Sequence, residues 1–155
     1  MERAEKAYTD EEKVALATRK NGYYTEFIKK LTPSDILPGA MQTLEELKSN
    51  GIKVAIGSSS KNTPIILKQI GLDTYFDAVS DGNNISKSKP DPEVFIKAAD
   101  MLGIPYSECA VVEDADAGIE AGNRAGMKTI SVHGAKGADV EMDDLDHVAV
   151  IALLK

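Results

Sequence analysis

The chain has 155 residues, of which 43% are hydrophobic and 28% charged, so it is long enough for one domain with a sizeable core. Its formal net charge of −7 disfavours nucleic acid and anionic membranes as partners. No apolar run approaches the roughly 20 residues needed to cross a bilayer, residues 1–6 lack the apolar centre of a secretory signal, and the single cysteine, Cys109, cannot form an internal disulfide. We therefore expect a cytoplasmic protein with neither nucleic acid nor membrane partners.

The first part of the chain, to about Leu31, has the pattern of a helix. Thr9 followed three residues later by Glu12 has the form of a capping box. Apolar or small side chains then recur on one helical face, mostly three or four residues apart: Val14, Ala17, Tyr24, Phe27, Ile28 and Leu31. Pro33 ends this helix because proline disfavours the α conformation of the residue before it.

From residue 34 onward, helices alternate with short β-rich runs. Strands are predicted over residues 52–56, 76–79, 110–112 and 128–132, with a short one near Val140. Helices are predicted from Met41 to Gly51, from Pro64 to Gly71, from Pro92 to Gly103, in a short segment that ends at Gly126, and over residues 148–154. Strands joined by single helices predict an α/β fold with a mostly parallel sheet, and ligands of such sheets bind beyond the carboxyl ends of the strands.

A polar loop follows the predicted strand 52–56. It consists of Ser58, Ser59, Ser60, Lys61 and Asn62. Hydroxyls, backbone N–H groups and the positive end of the next helix offer hydrogen-bond donors to an anion, and Lys61 adds a full charge. The same residue types are also common helix caps, so the pattern alone leaves both interpretations open.

A second loop places Lys89 just before a helix start, next to Pro90 and Pro92. The prolines restrict the backbone and so reduce the entropy that is lost when the lysine is positioned. A lysine held in this way can neutralise a phosphate as a point charge. The alternative is an ordinary solvated surface lysine.

A third loop is acidic, with Glu113, Asp114 and Asp116 after the predicted strand 110–112. Carboxylates crowded at one strand end repel one another unless a cation lies between them. Mg²⁺ prefers one or two carboxylates together with phosphate and water oxygens. The alternative is a solvated acidic turn in which Asp116 caps the following helix.

These three loops resemble motifs of the haloacid-dehalogenase superfamily. Residues 54–62 resemble its motif II, residues 88–95 its motif III and residues 111–119 its motif IV, and residues 19–21 and 36–39 agree with its β-phosphoglucomutase-like branch. The resemblance implies a Rossmann-like three-layer core with a mostly parallel sheet. Residues 34–155 would form this core, and residues 1–33 would be the remnant of a helical cap domain.

The resemblance also implies a role for each residue of the loops. Ser58 and Lys89 would bind the phosphoryl group during its transfer, and Glu113 and Asp114 would hold Mg²⁺. The other phosphate of a phosphorylated sugar would lie against Ser59, Ser60, Lys61 and Asn62. The implied reaction is the Mg²⁺-dependent conversion of β-glucose 1-phosphate to glucose 6-phosphate through an aspartyl-phosphate.

One part of the family pattern has no counterpart in this chain. The family's Asp-x-Asp-Gly motif, which supplies the nucleophile and the acid/base, does not precede Ser58, and the similar segment 114–118 stands where motif IV belongs. We therefore expect an N-terminally truncated chain that lacks the first, central strand of the sheet and is catalytically incompetent alone. Two strand edges should then lack partners unless the neighbouring strands close up, chains self-associate, or a missing N-terminal fragment binds.

Three other functions fit parts of the pattern. With water as the acceptor, the same chemistry gives a sugar-phosphate phosphatase. A non-catalytic remnant could still bind phosphate and Mg²⁺. A receiver-like signalling domain is disfavoured, because its lysine should follow the phosphoacceptor aspartate whereas Lys89 precedes the acidic loop.

Overall fold

The first helix stands largely apart from the core. The structure, a computed structural model, describes residues 8–154, and in it α1 spans Asp10–Ile28. The predicted capping box is present, since the Glu12 N–H donates to Thr9 Oγ1 at 3.2 Å and the Thr9 N–H donates to the Glu12 carboxylate at 2.9 Å. The predicted apolar face is mostly exposed: Ile28 is buried, whereas Val14 and Phe27 are 66% and 60% exposed.

The remaining elements follow the predicted alternation. They are α2 (Ala40–Ser49), β1 (Ala55–Gly57), α3 (Thr63–Gln69), β2 (Ala78–Ser80), α4 (Glu93–Leu102), β3 (Ala110–Glu113), α5 (Asp116–Arg124), β4 (Lys128–Ser131), β5 (Val140–Glu141) and α6 (His147–Leu154), with 3₁₀ turns at Pro33–Asp35 and Tyr106–Glu108. The first strand begins at Ala55 rather than at the predicted Ile52. The N–H of Val54 donates to the side chain of Asp77 at 2.8 Å, so the regular ladder starts one residue later.

All the described strand pairs are parallel, as predicted, but they form two sheets. One sheet pairs β1 with β2, and the other has the order β3-β4-β5. Within residues 8–154, no ladder joins β1 to β3. The predicted α/β fold with parallel strands is therefore present, and its sheet is divided between β1 and β3.

Helices cover both sheets on two sides, which gives the predicted three layers. On one side, Val94 and Phe95 of α4 and Ala121 of α5 pack in one cluster with Val111 of β3. On the other side, Leu47 of α2 and Val150 of α6 lie in a second cluster. The α4–α5 layer bridges the division in the sheet, because Phe95 packs both with Val111 of β3 and against Gly57 of β1. No helix in the described part of the chain is long and apolar enough to cross a membrane.

Candidate functional site

The serine loop, residues 58–62, leaves the carboxyl end of β1. Ser58 extends the pairing with β2 because its N–H donates to the Ser80 carbonyl at 3.0 Å. The Ser58 hydroxyl accepts from the Ser60 N–H at 3.2 Å, and the Ser60 hydroxyl accepts from the Asn62 N–H at 3.1 Å. A hydroxyl that accepts a hydrogen bond keeps its own proton to donate. The local capping and the predicted anion-binding role are therefore compatible.

The turn after β2 supports the serine loop from behind. The Gly82 N–H donates to the Ser60 carbonyl at 3.1 Å, and the Asn83 side chain donates to the Lys61 carbonyl at 3.0 Å. A Cβ atom at Gly82 would lie 2.6 Å from the Ser59 carbonyl oxygen and 2.7 Å from the Lys61 nitrogen. Only glycine allows this approach of two backbones, so the shape of the serine loop depends on position 82.

The lysine loop, residues 86–92, lies beside the serine loop. The Lys89 N–H donates to Ser59 Oγ at 3.4 Å, the peptide bond between Lys89 and Pro90 is cis, and Arg124 donates to the Pro90 carbonyl at 3.0 Å. The Lys89 side chain is only 17% exposed. Lys89 is therefore not the solvated surface lysine of the alternative interpretation.

Lys89 also connects to the acidic loop, residues 113–116. Its ammonium group forms an ion pair with Glu113, whose side chain is 11% exposed, and lies 4.9 Å from the centre of the Phe95 ring. The second oxygen of Glu113 accepts from the Asp114 N–H at 3.2 Å. Serine, lysine and acidic loops therefore meet at one edge of the fold, as the carboxyl ends of parallel strands predict.

Glu93, the first residue of α4, fastens the lysine loop. Its carboxylate accepts from the Lys87 N–H at 2.7 Å and from the N–H and hydroxyl of Ser86, and it forms an ion pair with Lys97 at 3.2 Å. These interactions, above all the Ser86 backbone hydrogen bond, lower the pKa of Glu93 from 4.5 to about 2. The ionised form is thus stabilised by folding.

A pH-dependent contribution to stability follows from this pKa. A carboxyl group whose pKa is lower in the folded chain contributes stability that is complete above its unfolded pKa and is lost as the pH falls through its folded pKa. We expect Glu93→Gln to be less stable than wild type above about pH 5, with the gap narrowing between pH 4.5 and about 2. Urea unfolding at a series of pH values measures this difference in stability. The matched control is Glu120→Gln on the exposed face of α5. A gap that does not change with pH would contradict this role of Glu93.

The two carboxylates beside the lysine are suited to a divalent cation. Glu113 and Asp114 line a cavity of about 250 Å³ together with His133, and Asp114 is exposed. Asp116 accepts from the Lys136 N–H at 2.8 Å, so it holds a neighbouring loop. Among the described residues, no group of three or more His, Cys, Asp or Glu side chains could enclose a metal ion. Mg²⁺ needs no such cage, because it takes one or two carboxylates with phosphate and water oxygens.

The structure adds close contacts within and between the motifs, and a cavity-lining residue, His133, that lies outside them. A Cβ atom at Gly118 would lie 2.2 Å from the Glu113 carboxyl carbon, and one at Gly57 would lie 2.6 Å from the Phe95 ring. His133, which lines the cavity, has a φ of +55°. The glycines at positions 57 and 118 are the one sequence signal that points to such close approaches. Cys109 packs against the α4–α5 cluster, and burial raises the pKa of its thiol, which disfavours a nucleophilic thiolate.

Fold and loops together define an α/β protein whose polar loops meet at the carboxyl ends of parallel strands. A sequence model of the haloacid dehalogenase-like hydrolases matches residues 1–126. The chain belongs to this family, as its three motifs predict.

Several relatives carry activities on phosphorylated sugars in their names. The chain is 45% identical over 129 residues to the β-phosphoglucomutase of Bacillus subtilis (strain 168), an alignment that covers 83% of this chain and 57% of that protein. It is 33% identical over 107 residues to a phosphorylated carbohydrates phosphatase of Thermotoga maritima, covering 66% of this chain and 50% of that protein. The crystal structure of a β-phosphoglucomutase from Clostridium difficile is similar with a TM-score of 0.83 and 36% identity, covering 94% of this chain and 68% of that one. The predicted resemblance to the β-phosphoglucomutase-like branch is confirmed, and the chain spans little more than half the length of the Bacillus relative.

Proposed function

We propose that this chain carries the phosphate- and Mg²⁺-binding part of a β-phosphoglucomutase-like phosphotransferase, and that alone it does not convert β-glucose 1-phosphate to glucose 6-phosphate. One observation carries the proposal: the serine, lysine and acidic loops meet through the contacts of Lys89 with Ser59 and Glu113. The 45% identity to a β-phosphoglucomutase supports the choice of reaction. The other expectations about the setting, namely a phosphorylated sugar as ligand and a cytoplasmic location, belong to this proposal.

Each loop has a part in the proposed binding of a phosphorylated sugar. The Ser58 hydroxyl donates a hydrogen bond to the phosphoryl group that is transferred, and the Lys89 ammonium group neutralises part of that group's negative charge. The substrate's other phosphate lies against the remainder of the serine loop: Ser59, Ser60, Lys61 and Asn62. In a chain with a net charge of −7, these local donors and the cation must supply the attraction for a phosphate.

Glu113 and Asp114 would hold the Mg²⁺ that this family's chemistry implies. When bound, the ion neutralises negative charge on the phosphoryl group as it moves between acceptors. Glu113 forms an ion pair with Lys89, whereas Asp114 is exposed. Asp114 is therefore the carboxylate with oxygens open to a cation. Lys89 in turn stays fixed at the edge of the site because Glu113 and the Phe95 ring hold its ammonium group.

The proposed lack of turnover follows from the missing counterpart of the family's nucleophile. The sequence contains no Asp-x-Asp-Gly motif before Ser58. In the similar segment 114–118, Asp114 belongs to the cation site and Asp116 accepts the Lys136 N–H. We therefore do not assign the nucleophile of the reaction to either of these aspartates.

A second candidate function is that of a sugar-phosphate phosphatase. Two relatives favour it, the phosphorylated carbohydrates phosphatase of Thermotoga maritima and a fructose-1-phosphate phosphatase of Escherichia coli that is 39% identical over 79 residues. The phosphatase reaction needs the same loops and the same nucleophile, with water as the final acceptor. The non-catalytic alternative, a chain that only binds phosphate and Mg²⁺, uses the same three loops as the mutase and the phosphatase but catalyses neither reaction.

A coupled assay tests the proposal. The purified chain is incubated with Mg²⁺ and β-glucose 1-phosphate, and both glucose 6-phosphate and inorganic phosphate are measured. We expect neither product, since no covalent acceptor is in place. Formation of glucose 6-phosphate at a specific activity that stays constant through repurification would overturn the proposed inactivity, and phosphate release alone would favour the phosphatase.

A further inference from the structure

One buried hydroxyl beside the site has no hydrogen-bond partner among the described residues. It belongs to Ser131, the last residue of β4, which is only 1% exposed. Ser131 is part of none of the three motifs. Buried polar groups in folded proteins are nearly always hydrogen-bonded, so an unpaired hydroxyl at this place calls for a physical explanation.

The packing of α5 shows which way Ser131 points. A Cβ atom at Gly122 would lie 2.7 Å from the side chain of Thr129, so Thr129 faces α5. Side chains two residues apart share one face of a strand, and Ser131 therefore faces α5 as well. Glu113 points to the same helix, because a Cβ atom at Gly118 would lie 2.2 Å from its carboxyl carbon.

Ser131 thus has a carboxylate residue next to it on each neighbouring strand. It is in register with Glu113 of β3 and with Glu141 of β5, and neighbouring strands lie about 4.8 Å apart. Glu141 is bonded to the Lys136 ammonium group and the Gly137 N–H, both of which lie outside the three loops of the site. Glu141 therefore keeps its donors whatever the site binds.

Glu113, in contrast, depends on a donor that the proposed ligand would compete for. In the free chain its carboxylate pairs with Lys89 and accepts from the Asp114 N–H. In the proposed function Lys89 serves the phosphoryl group, so a bound phosphate draws its donors away from Glu113. Glu113 is only 11% exposed, and water replaces a lost donor poorly at such a position. Carboxylates that hold a metal ion are, moreover, generally fixed by hydrogen bonds from further residues.

We propose that Ser131 is a positioning residue of the site, whose hydroxyl donates to the Glu113 carboxylate when Lys89 turns to a bound phosphate. This inference rests on the proposed function, because it requires that phosphate binds at the three loops. In the free chain the hydroxyl is buried and unpaired, which costs stability, and its hydrogen bond forms only in the bound state. Stability of the free chain and affinity for phosphate should therefore respond in opposite ways when the hydroxyl is removed.

Replacing Ser131 with alanine tests this through two measurements. The free Ser131→Ala chain should unfold at the same urea concentration as wild type or at a higher one, because no hydrogen bond is lost. Calorimetric titration of inorganic phosphate in the presence of Mg²⁺ should show binding weakened on the order of tenfold, the effect of one hydrogen bond to a charged group. A residue with a merely structural role would not lower the affinity while leaving the stability intact.

Thr129 is the matched control, since its hydroxyl is also buried on β4 but has partners. It donates to Asn123 Oδ1 at 2.7 Å and accepts from the Asp139 N–H at 3.0 Å. Thr129→Val should therefore unfold at a lower urea concentration than wild type, because it leaves buried polar groups without their partner. Its affinity for phosphate should equal that of wild type.

Three results would each overturn the proposal. They are a Ser131→Ala chain with the phosphate affinity of wild type, a Ser131→Ala chain that is less stable than wild type, and a Thr129→Val chain that loses as much affinity as Ser131→Ala. A wild-type chain that binds no phosphate in the presence of Mg²⁺ would overturn the proposed function and this inference together.

Discussion

Replacing Lys89 with methionine should destabilise the chain by about 3 kcal/mol or more, because it leaves Glu113 buried without its charged partner. The two side chains are only 17% and 11% exposed, so water replaces the lost ion pair poorly. Urea unfolding followed by circular dichroism measures the change. The double variant Lys89→Met/Glu113→Gln should recover much of the loss, since it removes the uncompensated charge.

A matched surface lysine separates this effect from a general loss of charge. Lys13 pairs with Asp10 at 3.1 Å on exposed α1, with side chains 63% and 94% exposed. Lys13→Met should cost less than about 1 kcal/mol, as surface ion pairs generally do. Equal costs for the Lys13 and Lys89 variants would show that the pair with Glu113 does not hold the loops together.

Gly82→Ala should have the second large effect. The new methyl group would meet backbone atoms of the serine loop at 2.6 to 2.8 Å, and a backbone cannot rotate away as a side chain can. We expect a loss of about 1–3 kcal/mol in the free energy of unfolding. Because the serine loop must move, the affinity of the chain for inorganic phosphate should fall as well. Calorimetric titration of phosphate, together with urea unfolding, measures both.

Gly22→Ala is the matched control for this substitution. Gly22 lies inside α1, and an added Cβ would have no neighbour within 4 Å. Alanine there should leave phosphate affinity unchanged and stabilise α1 by about 0.5–1 kcal/mol, because glycine is the poorer helix former. A Gly82→Ala variant that matches Gly22→Ala in both measurements would mean that the turn after β2 does not support the serine loop.

Local chemistry explains which parts of the fold the sequence predicts. The capping box of Thr9 and Glu12 involves residues three apart, and the glycine after α4, Gly103, has the left-handed φ of +67° that ends helices. The sequence pattern predicts the beginning of β1 three residues too early, at Ile52 instead of Ala55. The Asp77 side chain, 23 residues away, takes the Val54 N–H, and no periodicity of apolar residues contains that information.

The site shows the same limit. The order of its three loops was predictable, because each follows a strand or precedes a helix in the pattern of the family. The sequence motifs assign Lys89 to a phosphate and Glu113 to a cation, whereas the structure also pairs the two side chains with each other, although they are 24 positions apart. Tight packing of Gly57 against Phe95 is likewise a contact between distant segments. Such contacts depend on how the helices and loops pack against the sheet, and the periodicity of hydrophobic residues does not encode them.

The measurement that tests the central idea most directly is a linked titration of inorganic phosphate and Mg²⁺ on the folded chain. If the serine, lysine and acidic loops bind an anion and its cation at one edge, each ligand should tighten the other by the same factor, at least about fivefold. Amide shifts at Ser58, Lys89 and Asp114 should then follow a single binding curve. Phosphate and Mg²⁺ that bind with no mutual effect, or shifts that follow separate curves, would contradict a shared site.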